Sequence, residues 1–131
     1  MPETIKCAVY ARYSTNNQRE ASIEDQIRKC RETAFSKGWE VLDTHIYYDK
    51  AQSGTRVNSR DGFKEMMRIA MSGNCPFQKI LVDDTSRIAR NTKEALDIFS
   101  LLTFYGIHVY YVSQGIDTSH EAAEEMITIN G

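Results

Sequence analysis

The run KILVDDTSRIARN, residues 79–91, decides how the rest of the chain is read. Lys79 to Asp83 is a short apolar, β-branched segment, the cleanest strand in the sequence, and it passes into a polar loop from Asp84 to Asn91. Thr92 follows as an N-cap, with a helix running through Leu96, Phe99 and Leu102 to Gly106. Residues 107–112 (IHVYYV) form a fourth strand. Upstream, Phe63, Met66, Met67, Ala70 and Met71 recur at helical spacing, and Gly73 and Pro76 end that helix. Its methionines read as core rather than as a partner-binding stripe. Before it lie a long polar loop from Asp49 to Ser59 and a strand over residues 40–48 (EVLDTHIYY). Earlier still, Ile23, Ile27, Cys30 and Ala34 mark a helix stopped by Gly38. The first strand covers residues 5–10 (IKCAVY), and a polar stretch from Arg12 to Ala21 follows it. After Ser119, Glu121 to Met126 begins another helix, and there the chain stops. Strands and helices alternate, which predicts a three-layer α/β/α domain around a mostly parallel, four- to five-stranded sheet.

Composition sets the outer bounds. The chain of 131 residues is long enough for one core and too short for two ordinary domains. No apolar run approaches the ~20 residues of a membrane helix, and MPETIKCAVYAR lacks the apolar stretch of a signal peptide. Cys7, Cys30 and Cys75 are odd in number and have no CxxC spacing, so they read as reduced thiols in a cytoplasm. With 16 Lys+Arg against 18 Asp+Glu the net charge is −2, whereas a free-standing DNA-binding domain is usually basic.

In sheets of this kind, ligands meet the loops beyond the carboxyl ends of the strands. Arg12 and Ser14 stand just beyond the first strand, Arg56 and Arg60 beyond the second, Arg87 and Arg90 beyond the third. Arg87 and Arg90 are one helical turn apart, hence on one face if that loop already coils. Guanidinium groups are planar, permanently charged and matched to phosphate oxygens, so such a set suits phosphate chemistry. Arg56, within the long loop, reads as a solvated charge. His45, His108 and His120 fall in other segments and form no pair at metal-ligand spacing, so neither a Ser-His-Asp triad nor metal ligation by these histidines is supported. Activation of a serine would then fall mainly to the arginines. A competing reading takes Asp49, Asp83 and Asp84 as strand-end carboxylates around Mg²⁺, as in a receiver-like signalling module.

Tyr10-Ala11-Arg12-Tyr13-Ser14-Thr15, followed by Gln18, Ser22 and Gln26, resembles the opening signature of the serine site-specific recombinases, the resolvase–invertase family. Asp49-Lys50-Ala51-Gln52-Ser53-Gly54, with Arg60 downstream, resembles the family's second motif, and Ser86-Arg87-Ile88-Ala89-Arg90 its third. The resemblance spans essentially the whole chain. It implies that Ser14 attacks a phosphodiester of double-stranded DNA, leaving a 5′-phosphoserine link and a free 3′-hydroxyl. Strand exchange and reversal then rejoin the DNA with neither metal nor other cofactor, because the phosphoserine retains the bond energy. It further implies that Arg12, Arg60, Arg87 and Arg90 hold the scissile phosphate and its transition state. Asp49 is implied as an active-site carboxylate, orienting an arginine or accepting a proton. Gln18 and Gln26 are implied as positioning groups, and Tyr10 as structural support.

One departure stands out. The family commonly has aspartate before the first arginine of the third motif, where this chain has Ser86, and Asp84 lies two residues too early to replace it. A recombinase-derived domain that binds DNA without cutting is therefore a further alternative. The loop after Ser14 resembles that of the large integrases and transposases. Relatives form dimers on each site and synaptic tetramers through a long helix, of which residues 120–131 would be the first turns. Residues 1–131 are then expected to be the N-terminal catalytic domain of a longer protein. On that reading the net charge is no obstacle, since catalysis needs only a local positive site.

Overall fold

A computed structural model describes residues 4–13, 22–50 and 60–119. Five strands, β1 (Lys6–Tyr13), β2 (Glu40–Lys50), β3 (Lys79–Val82), β4 (His108–Tyr111) and β5 (Ile116–Asp117), form one sheet in the order β2-β1-β3-β4-β5. All neighbouring pairs are parallel except β4 with β5. Helices α1 (Ile23–Lys37), α2 (Asp61–Ala70), α3 (Thr85–Ile88) and α4 (Thr92–Phe104) occupy the connections. The expected α/β architecture with its mostly parallel sheet is what the chain adopts.

Alternation along the strands explains the layers. Cys7 and Val9 of β1 and Leu81 of β3 pack against Cys30 and Ala34 of α1. The intervening residues, Ala8, Tyr10, Ile80 and Val82, point to the opposite face, toward Met66 and Met67 of α2 and Ala95, Ile98 and Leu102 of α4. All four residues of β3 are buried, as a central parallel strand covered on both faces must be. The methionines are core, as their spacing predicts.

Several boundaries differ from the sequence reading. β1 does not end at Tyr10: Arg12 and Tyr13 stay in the ladder, opposite Asp49 and Lys50 of β2. Parallel pairing holds these polar strand ends extended although their composition resembles a loop. The stretch after β3 is not all loop, because Asp84 caps one turn of helix by accepting from the Ser86 N–H at 2.9 Å. Asn91, not Thr92, caps α4; it is extended, and its Oδ1 accepts from the Glu94 N–H at 2.8 Å. Gly38 ends α1 in the left-handed region (φ 77°), with its N–H and that of Trp39 returning to the last-turn carbonyls of Phe35 and Ala34.

Candidate active site

The strand order reverses at β1, which sends its crossovers to opposite faces of the sheet. The crevice beyond the carboxyl ends of β1 and β3 is the ligand position in such sheets. Arg12 stands at that end of β1, and Asp83 and Asp84 follow β3.

Arg12 is held from two sides. From α1, the buried Gln26 amide accepts from the Arg12 N–H at 3.2 Å and donates to the Arg12 carbonyl at 3.0 Å. This pair extends the sheet ladder by one side chain and fixes the main chain from which the guanidinium projects. The guanidinium itself donates through Nε to the Arg87 carbonyl (3.2 Å) and through Nη2 to the Ser86 carbonyl (2.7 Å). Arg87 returns the contact, its Nη1 donating to the Arg12 carbonyl at 3.2 Å.

Arg60 reaches the same short helix from the start of α2, donating through Nη2 to the Ile88 carbonyl at 2.8 Å. Thus the carbonyls of Ser86, Arg87 and Ile88, in the last turn of α3, collect two guanidinium groups from distant elements. The negative end of the turn supplies the attraction. Arg60 also lies over the Phe63 ring, 4.3 Å to its centroid, and Nη1 is 3.4 Å from a Glu94 oxygen. Its Nε is buried with no acceptor among the described residues.

Asp49 supports this arrangement from below. It is buried and accepts from the Tyr10 hydroxyl (2.7 Å) and from the N–H groups of Gly62 (2.8 Å) and Phe63 (3.0 Å). Arg60, the N-cap residue of α2, makes no side-chain cap of its own, so the β2 carboxylate serves in its place. Burial, then the hydrogen bond to Asp49, pushes the Tyr10 hydroxyl pKa up, which keeps it a neutral donor.

The expectation that Arg87 and Arg90 share a helical face does not hold. Ala89 is extended (φ −138°, ψ 152°), so α3 ends between them. Arg87 is buried and Arg90 exposed. Ser86 is exposed, and its hydroxyl donates to the Asp84 carboxylate, which lies 4.0 Å from the Arg87 Nε. Ser14, Gln18, Arg56 and His120 lie outside the described residues.

The carboxylates of the receiver-like reading do not gather. Asp49 faces Tyr10 and the α2 amides, while Asp83 pairs with Lys29 at 3.1 Å and accepts from the Ser113 hydroxyl. Among the described residues no cluster of three or more His, Cys, Asp and Glu side chains suits a metal ion. Nor is any described helix long and apolar enough to cross a membrane. Sequence reasoning missed Glu94, whose carboxylate accepts from the Arg90 N–H at 2.8 Å. The signal was present as Asn-x-x-Glu at residues 91–94, the spacing of a helix start.

Solved structures share this fold. A resolvase family site-specific recombinase from Streptococcus pneumoniae aligns over 97% of this chain and 85% of its own, at 29% identity and a TM-score of 0.83. The N-terminal catalytic domain of TP901-1 integrase aligns over 95% and 89%, at 26% identity and a TM-score of 0.72. For the C-terminal catalytic domain of an IS607-like serine recombinase the values are 82% and 70%, at 22% identity and 0.65, a likeness of fold alone. No curated protein matches the sequence. The family model of the resolvase N-terminal domain covers residues 7–131, and the chain belongs to the resolvase family.

Proposed function

We propose that this domain catalyses site-specific recombination of double-stranded DNA with Ser14 as the nucleophile. The Ser14 hydroxyl gives up its proton as its oxygen bonds to phosphorus and the bond to the 3′ oxygen breaks; the 3′ oxygen takes up a proton in its place and leaves as a free 3′-hydroxyl. The 5′ end stays on the enzyme as a phosphoserine ester. After strand exchange a 3′-hydroxyl attacks the ester, re-forming the diester and returning a proton to Ser14. Arg12, Arg60, Arg87 and Arg90 stabilise the charge that builds on the phosphoryl oxygens. Gln26 acts through Arg12, and Asp49 with Tyr10 through the start of α2, as positioning residues. Gln18 and Ser86 complete the phosphate surroundings. The protein works as a dimer on each DNA site and as a tetramer when two sites pair.

The observation that carries this reading is the gathering of Arg12, Arg60 and Arg87 at the end of α3, with Arg12 two residues before Ser14 in the sequence. Among the described residues, Arg12 spends Nε and Nη2 on carbonyls, and its Nη1 is proposed to meet an external oxyanion. A test incubates the intact protein with a pool of duplexes tiling the DNA that flanks its own gene and isolates covalent adducts on denaturing gels. The expected product is a DNA strand joined by its 5′ phosphate to Ser14, absent with Ser14→Ala. An adduct that persists without Ser14 refutes the assignment.

A further inference from the structure

Glu94 lies outside the three motifs, yet it touches two of the arginines. Its Oε1 accepts from the Arg90 N–H at 2.8 Å, and its carboxylate lies 3.4 and 3.5 Å from the Arg60 Nη1. Arg60 in turn donates to the Ile88 carbonyl at 2.8 Å. The contacts close a ring: the Arg60 guanidinium, the main chain from Ile88 to Arg90, the Glu94 carboxylate, and back to Arg60. Inside that ring the backbone turns from α3 to α4 through the extended Ala89. This elbow sets where Arg90 leaves the main chain. Glu94 is itself held by α4, whose start Asn91 caps at the Glu94 N–H.

The two contacts are unequal. The 2.8 Å bond to the Arg90 N–H has the length of a charge-assisted hydrogen bond, whereas those to Nη1 are at the long limit. An arginine so loosely paired keeps its charge available to a phosphate, and an acceptor so firmly bonded to the main chain keeps the elbow in place. From this geometry we infer that Glu94 is a positioning residue for the recombination reaction, orienting Arg60 and Arg90 together by closing the α3–α4 elbow. The inference rests on the phosphoryl-transfer role proposed for those arginines. What matters in it is the acceptor at Oε1, which glutamine also provides; the negative charge is secondary.

The test compares Glu94→Ala and Glu94→Gln in the intact protein by two measurements. The first is hydrogen exchange at the Arg90 amide, which needs no DNA. Glu94→Ala is expected to speed this exchange by at least about tenfold, with Glu94→Gln close to the unaltered protein. Equal exchange in all three overturns the inference. The second is the single-turnover rate of the Ser14 adduct on the flanking-DNA duplexes, at saturating DNA. Alanine is expected to slow it by about 10²-fold, the scale of an ångström-level misplacement, with half-saturating DNA little changed and glutamine restoring most of the rate. Alanine at the unaltered rate, or alanine and glutamine equally slow, overturns it. If the unaltered protein forms no Ser14-dependent adduct, the recombination reading fails, while the exchange measurement still decides whether Glu94 holds the elbow.

Discussion

Gln26 has no solvent exposure, and its amide answers both main-chain groups of Arg12. Replacing it with leucine keeps the bulk and removes both partners. Gln26→Leu is expected to cost about 1–3 kcal/mol in urea denaturation, the scale of stranding buried polar groups; an unchanged midpoint would show that the pairing contributes nothing. Asp83 is a second residue with a defined effect. Burial alone would raise its pKa, but the hydrogen bonds from Ser113 and Lys29 and the nearby charges outweigh that, leaving it below its ordinary 3.8. Its folded pKa is thus lower than its unfolded one. The stability it contributes is full above 3.8 and is lost as pH falls through the folded value, because there the unfolded chain binds more protons. Asp117, where burial raises the pKa but the hydrogen bonds from Lys79 and Ser119 and the Lys79 charge outweigh it, is also lowered and adds a contribution of the same sign. Asp83→Asn is expected to be less stable at neutral pH and to lose less stability on acidification, as read from urea midpoints across the acid range. A parallel shift at every pH would contradict the linkage.

At the scale of elements, the start of α2 is capped from another strand. A side chain at Gly62 would place its Cβ 2.5 Å from the Tyr48 carbonyl oxygen and 3.2 Å from the Asp49 Oδ1. Glycine is therefore required there for close approach of helix and strand, not for an unusual backbone angle. Gly62→Ala is expected to push α2 off the Asp49 cap and cost about 1–3 kcal/mol, read by thermal or urea unfolding. Wild-type stability would mean that helix and strand separate freely. Much of this level was legible beforehand: Ile23, Cys30 and Ala34 carry helical spacing, and KILVD an unbroken strand. The single turn α3 was not, since four residues carry too little periodicity to register and its cap depends on Asp84 turning back on Ser86. The polar end of β1 was equally hidden, because the pairing with β2 that keeps it extended joins residues 37 apart in sequence (49 − 12 = 37).

Over the whole molecule, the thiols report how completely the sheet is covered. Cys7 and Cys30 are buried on the α1 face, and desolvation pushes both pKa values up to about 12. Burial also raises Cys75, though it is only partly covered. Alkylation with iodoacetamide at neutral pH, mapped by mass spectrometry, should modify Cys75 first and leave Cys7 and Cys30 until the chain unfolds. Equal labelling of all three in the native state would show that the α1 layer opens readily. Charge is distributed with comparable economy: an overall −2 coexists with Arg12, Arg60 and Arg87 around one turn of helix. A local field of that kind is set by placement and is invisible to a sum over composition.

The sequence by itself determined the order and type of the principal elements and the residues at the strand ends, because hydrophobic period and turn chemistry are local properties. It also carried the three motifs that place Arg12, Arg60, Arg87 and Arg90 in one family pattern. Only the tertiary structure decided which groups meet. Arg12 reaches the carbonyl of Arg87 across 75 residues, and Arg60 that of Ile88 across 28, because the strand order brings β1 beside β3, whose carboxyl end runs into α3. It likewise turned Asp49 into the cap of α2 and put Arg87 and Arg90 on different sides of an elbow. Those outcomes depend on hydrogen-bond distances between distant segments, which packing sets and local pattern does not encode.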